Sequence, residues 1–163
     1  MQKGASLAKG EWLMFLHADC RMNTKWPSKI NKIIEKDSNK NYAWFFKYTV
    51  RRTNLIWLLV ELIVNIRSHI FQTPYGDQGL LINKELYRKV GGYKAIPIME
   101  DLDLILRLKK ITNLKGIGIG LKTSTRKYTK NNLLKNSLKN AYLRYLWNKG
   151  DNIQELAKKY YSE

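Results

Sequence analysis

With 163 residues, 44% of them hydrophobic, the chain is long enough for one domain with a core and too short for two full ones. Thirty Lys and Arg against thirteen Asp and Glu leave a formal charge of +17, which predicts attraction to phosphate-rich partners (nucleic acid, anionic lipid or nucleotide sugars) without choosing among them. The single Cys20 excludes an internal disulfide, no Cys/His cluster has the spacing of a zinc site, and Met1 to Gly10 lacks the apolar core of a signal peptide, so a reducing cytosol is the expected compartment.

In chain order, Gly4 to Gly10 predicts the end of a helix stopped by Gly10. The apolar run Trp12-Leu13-Met14-Phe15-Leu16 has the character of a central parallel strand buried on both faces, with Asp19 at its carboxyl end. In open α/β sheets that edge is where ligands bind. Pro27 marks the first turn of a helix from about Trp26 to Asp37, and Tyr42 to Val50, aromatic and β-branched, predicts a strand. Asn54 to Phe71, which Thr53 or Asn54 can cap, is the most apolar segment. Glu61 interrupts it and Asn65, Arg67, Ser68 and His69 end it short of the roughly 20 residues a bilayer crossing needs, so a buried or interfacial amphipathic helix is expected. His69 suits a C-terminal dipole partner.

Gly79 to Asn83 predicts a short strand, and Lys84 to Val90 a helix ended by Gly91-Gly92. From Ile98 the residues Ile98, Met99, Leu102, Ile105 and Leu106 recur at helical spacing, with Glu100, Asp103, Arg107 and Lys110 on the opposite stripe and Asp101 at the border. Gly116-Ile117-Gly118-Ile119-Gly120-Leu121 lacks the following helix of a phosphate loop and predicts a strand with close backbone packing. Thr129 to Trp147 and a last helix capped by Asp151 or Asn152 are basic with aromatic edges, a pattern that suits either an anionic membrane surface or a cover for the sheet.

The candidate chemistry lies in three acidic positions. Asp77 follows Gly76, a residue able to take the positive φ of a tight turn. Glu100, Asp101 and Asp103 follow Pro97, where a helix would begin and where acidic residues also complement a helix dipole. Asp19, flanked by His17, offers hard oxygen and imidazole donors that can hold Mg²⁺ or Mn²⁺ against a diphosphate.

His17-Ala18-Asp19, Pro74-Tyr75-Gly76-Asp77-Gln78, Met99-Glu100-Asp101 and Thr123-Ser124-Thr125-Arg126-Lys127-Tyr128 together resemble the family 2 glycosyltransferases of GT-A fold, in the bacterial branch whose metal motif reads His-Ala-Asp. The resemblance runs from Gly4 to about Tyr160. It implies an α/β fold: a partial GT-A (Rossmann-like) mixed sheet with flanking helices and a C-terminal helical tail, the N-terminal nucleotide-binding strands missing. Residues 1–128 would be the C-terminal portion of the GT-A domain, and 129–163 a basic amphipathic tail packed on it. The same resemblance implies inverting transfer from a UDP- or GDP-sugar to an acceptor hydroxyl with Mn²⁺ or Mg²⁺ held by Asp19 and His17. Asp101 would be the general base, with Glu100 beside it. Tyr75, Gly76, Asp77 and Gln78 would line the sugar or acceptor side, and Arg126, helped by Lys127, would contact the diphosphate. A lipid-linked acceptor and peripheral contact with the inner face of the membrane fit the basic tail.

Two rival readings remain at the level of sequence. One is a catalytically incomplete transferase fragment. The other is a basic nucleic-acid- or membrane-binding module, although no zinc finger or aromatic RNA-reading strand is present and no nucleic acid is expected.

Overall fold

A computed structural model describes residues 1–51, 54–124 and 130–162. They form two compact units: Met1–Lys94 with Asp101–Ser124, and Ala95–Glu100 with Thr125–Glu163. The chain runs α1 (Gln2–Leu7), β1 (Trp12–Phe15), β2 (Arg21–Met22), α2 (Trp26–Ile34), β3 (Ala43–Val50), α3 (Leu55–Ile70), β4 (Leu80–Asn83), α4 (Lys84–Lys89), α5 (Glu100–Lys109), β5 (Leu114–Thr123), α6 (Lys130–Asn148) and α7 (Ile153–Tyr161). The result is mixed α/β. Five strands make one mixed sheet in the order β1, β4, β3, β5, β2, in which β3 and β5 are parallel and every other pair antiparallel.

Within this chain the strand at Trp12 has an antiparallel partner where a parallel one was expected. β1 lies at the end of the sheet order and pairs antiparallel with β4, Trp12 opposite Asn83 and Phe15 opposite Leu80. Its apolar run has a different cause. Leu13 and Phe15 enter one buried cluster, with Phe45, Ile82, Tyr87, Leu104 and Leu108, while Trp12 and Leu16 pack on the other, around Phe46, Leu81, Ile117 and Leu121. Because side chains alternate along a strand, a sheet with a core on each face makes such a strand apolar throughout.

The first unit is built around β3. Strand β4 pairs only with its first two residues, Ala43 and Trp44, so the backbone beyond needs other partners. Side chains supply them on alternate residues. Gln78 Nε2 donates to the Phe46 carbonyl at 3.2 Å. Asn65 Oδ1 accepts from Tyr48 N–H at 2.9 Å, and its amide donates to the Tyr48 carbonyl at 3.0 Å. Glu61 Oε1 accepts from Val50 N–H at 2.6 Å. Glu61 and Asn65 belong to α3, so that helix turns a polar stripe toward the sheet beside the buried Trp57, and most of its other apolar residues face outward. Asn54 caps α3 by accepting from Trp57 N–H at 3.1 Å; the other candidate cap, Thr53, lies outside the described residues.

Two glycines of β5, Gly116 and Gly120, are explained by approach, and Gly118 by its left-handed backbone, φ 77°. A Cβ on Gly116 would come 2.7 Å from His69 Nε2, and the His69 ring also packs edge-on against Phe45 with centroids 5.0 Å apart. Helix α5 starts at Glu100 rather than Ile98. Met99 takes a left-handed backbone, φ 62°, a conformation that costs a non-glycine residue about 1–2 kcal/mol. Asp103, expected on a solvated stripe, is buried instead. Its carboxylate holds Lys94 Nζ at 3.0 Å and Arg107 Nε at 2.9 Å, while Arg107 also donates to the carbonyls of Val90 and Gly92. This network pins the Gly91-Gly92 turn.

In the second unit Ile98, Leu143, Leu156 and Ala157 form a separate core. Asn152 caps α7 by accepting from Gln154 N–H at 2.8 Å.

Candidate functional site

The site is assembled in the first unit from three loops. His17, Ala18 and Asp19 are exposed in a turn after β1, closed by Cys20 N–H donating to the His17 carbonyl at 3.1 Å. Tyr75 to Gln78 follow α3 and end in β4. Asp101 lies in the first turn of α5.

Gly76 is where they meet. A Cβ there would stand 2.4 Å from His17 Nε2 and 3.0 Å from Asp101 Oδ2, closer than real Cβ contacts come. Gly76 does not need the left-handed backbone expected from sequence; in this loop Gly79, φ 59°, takes that conformation. The residue at 76 is glycine because a histidine and a carboxylate both come against its backbone. Gly76 N–H donates to Asp101 Oδ2 at 2.6 Å, and Leu102 N–H donates to Asp101 Oδ1 at 2.7 Å. Both oxygens of Asp101 are thereby fixed by backbone donors, and each keeps a second lone pair for another proton. His17, Tyr75, Gly76 and Asp101 share a small pocket also lined by Phe15, Tyr93 and Ile105.

Asp77 lies beside this pair. Its Oδ1 is buried and has no hydrogen-bond partner among the described residues. Burial pushes its carboxyl up to about 6, and the neighbouring Asp101 adds to the rise while Arg67 and His17 oppose it. The Asp77 backbone is anchored on the opposite side, where its carbonyl accepts from Thr123 Oγ1 at 3.2 Å and meets Cys20 Sγ at 3.8 Å. Burial likewise pushes the Cys20 thiol up. Cys20 and Thr123 therefore join the His17 turn, the Asp77 turn and the end of β5, a linkage with no sequence motif to announce it.

No protein-family model matches the chain. The chain is 30% identical over 117 residues to a protein of Haemophilus influenzae described as an uncharacterized glycosyltransferase. The alignment takes in 64% of this chain and 38% of that protein, so the chain spans well under half of the relative's length.

The structure thus brings together His17, Gly76, Asp77 and Asp101 from separate stretches of sequence. Asp19 stands in the same turn as His17, exposed. Glu100 immediately precedes Asp101 and is half-buried. Gln78, expected to line a substrate, is fully buried, with Oε1 accepting from Ser68 Oγ at 2.5 Å and Arg67 Nη2 at 3.3 Å. From there it fixes the loop to α3 and β3. Arg67, which sequence alone left as a helix-end charge, is a support of the site: it donates to the Thr73 carbonyl at 3.2 Å and its guanidinium lies 3.6 Å over the Tyr75 ring. Arg126 and Lys127, with Thr125 and Tyr128, lie outside the described residues. Among the described residues no three His, Cys, Asp or Glu side chains gather closely enough to hold a metal ion by themselves.

Proposed function

We propose that this chain carries catalytic and acceptor-side groups of a GT-A glycosyltransferase of the family 2 type, moving a sugar from a UDP- or GDP-sugar to a hydroxyl with inversion. The similarity to a protein named as a glycosyltransferase supports the general class. The observation that carries the finer reading is the meeting of His17 and Asp101 against the backbone of Gly76, with the buried Asp77 alongside.

In this reading Asp101 is the general base. Its orientation is set by Gly76 N–H and Leu102 N–H, so the oxygens are held in place before the acceptor arrives. The acceptor hydroxyl gives its proton to Asp101 as its oxygen attacks the anomeric carbon, and the nucleoside diphosphate leaves from the opposite face. The apolar wall of Phe15, Tyr93 and Ile105 limits water in the pocket. Tyr75 bounds the same space, Asp77 follows it in the loop, and Arg126 with Lys127 would serve the diphosphate.

A divalent cation fits the donor set at His17 and Asp19 in one way. An exposed imidazole and a carboxylate in one turn suit an ion that keeps one or two protein ligands and takes the rest from substrate phosphate and water. When bound, Mg²⁺ or Mn²⁺ would offset negative charge on the departing diphosphate. Titration calorimetry of the chain with UDP- and GDP-sugars, with and without Mn²⁺, tests the reading. Binding that strengthens with Mn²⁺ and weakens in Asp19→Ala is expected; no binding of either nucleotide sugar would overturn it.

A further inference from the structure

The outward face of α3 is apolar without interruption by charge. Leu55, Ile56, Leu58, Leu59, Leu62, Ile63, Ile66 and Ile70 are all exposed, Leu55 at 81% and Ile70 at 69%, and Phe71 beyond the helix end is 62% exposed. At 100° per residue the eight helical positions cover roughly 160° of the circumference, and His69 is the one polar residue among them. The inward stripe carries Glu61, Asn65 and Ser68 beside the buried Trp57, and its hydrogen bonds to β3 and Gln78 are accounted for. The helix is therefore inverted relative to one that covers a core, and a contiguous apolar surface of this extent marks a docking face.

We infer that this face seats the protein on an anionic phospholipid bilayer, with α3 lying in the plane of the interface. Three observations select that occupant. Among the described residues no helix is long and apolar enough to cross a membrane, so α3 can lie on a bilayer but not span it. The chain carries a formal charge of +17, which attracts an anionic surface and opposes pairing of two copies. Cations also stand at both ends of the helix: Arg51 is exposed just before it, and Lys109 Nζ donates to the Phe71 carbonyl at 2.6 Å. The inner side of the same helix grips Gln78 and Tyr75 through Ser68 and Arg67. A bilayer on the outer side thus lies about one helix diameter, ~10 Å, from the Tyr75–Gln78 loop, within reach of a hydroxyl carried on a lipid. The surface is α3, the segment whose sequence suits a buried or interfacial helix.

Vesicle flotation tests this on the purified chain. Wild type is expected to float with phosphatidylcholine vesicles containing phosphatidylglycerol, to bind pure phosphatidylcholine more weakly, and to lose part of its binding as salt rises. Leu59→Gln with Leu62→Gln should lower partitioning about tenfold or more while leaving the melting temperature in place, because both side chains are already exposed. Ile63→Gln with Ile70→Gln repeats the test with other side chains of the face. Asp101→Asn should float like wild type, which separates this inference from the transferase reading. Absence of flotation, undiminished flotation of both Gln pairs, or a wild-type dimer that the Gln pairs convert to monomer without vesicle binding would each overturn the proposal.

Discussion

Replacing Asp77 with asparagine keeps the shape of the side chain and removes a charge that the fold holds at a cost. The carboxyl sits at about 6 in the fold against 3.8 for an ordinary aspartate, and at about 1.4 kcal/mol per pH unit the difference amounts to about 3 kcal/mol. The sign follows from which state loses its proton first. As pH rises from about 4 to about 6 the unfolded chain ionises before the folded one does, so wild-type stability falls across that window and levels off above it. Asp77→Asn should therefore match wild type near pH 4 and exceed it at pH 8. The gain should approach 3 kcal/mol, a figure that already contains the opposing Arg67 attraction, on the order of 5–10 °C in melting temperature for a chain of this length. Thermal unfolding of both proteins from pH 4 to 8 measures it. A variant that is less stable at pH 8, or a difference that does not change with pH, would refute the assignment of Asp77 as a buried, poorly compensated carboxylate. A residue that destabilises its own fold at working pH is expected at a functional site, so the stabilised variant should also lose activity.

Other substitutions separate the roles of neighbouring residues. Gly76→Ala should destabilise the fold by about 1–3 kcal/mol and displace His17 and Asp101, because its Cβ would stand 2.4 Å from His17 Nε2; chemical denaturation and the NMR chemical shifts of the His17 ring report both effects. Asp103→Ala should cost about 3 kcal/mol by leaving Lys94 and Arg107 without their carboxylate, which marks Asp103 as structural although it lies two residues from Asp101. Gln78→Leu should cost about 1–3 kcal/mol in urea unfolding, since the Phe46 carbonyl, Ser68 and Arg67 all lose a partner.

Much of this architecture was legible in the sequence because it is written locally. The aromatic run of β3, the Asn54 cap and the glycines of β5 each follow from propensity or from steric need at one position. What the sequence did not disclose depends on pairing between distant segments. The Trp12 run is apolar because cores lie on both faces of the sheet, and no local pattern distinguishes that from a central parallel strand. The inversion of α3 arises because β4 leaves β3 after Trp44 and the free backbone recruits Glu61, Asn65 and Gln78. The same event buries Gln78, so a polar residue in a motif became a brace. His17, Gly76 and Asp101 could be singled out by residue type, yet their meeting point depends on a tertiary approach that only the glycine at 76 hinted at.

The central claim rests on Asp101, and its most direct test is release of nucleoside diphosphate from UDP- and GDP-sugars, with an acceptor hydroxyl and Mn²⁺, by wild type and Asp101→Asn side by side. Turnover by wild type is expected, with a loss of about 100-fold or more in the variant and a modestly lowered melting temperature, because the asparagine carbonyl can still accept from Gly76 N–H while Leu102 N–H loses its carboxylate acceptor. Equal turnover by the two proteins, or none by wild type, would contradict the account.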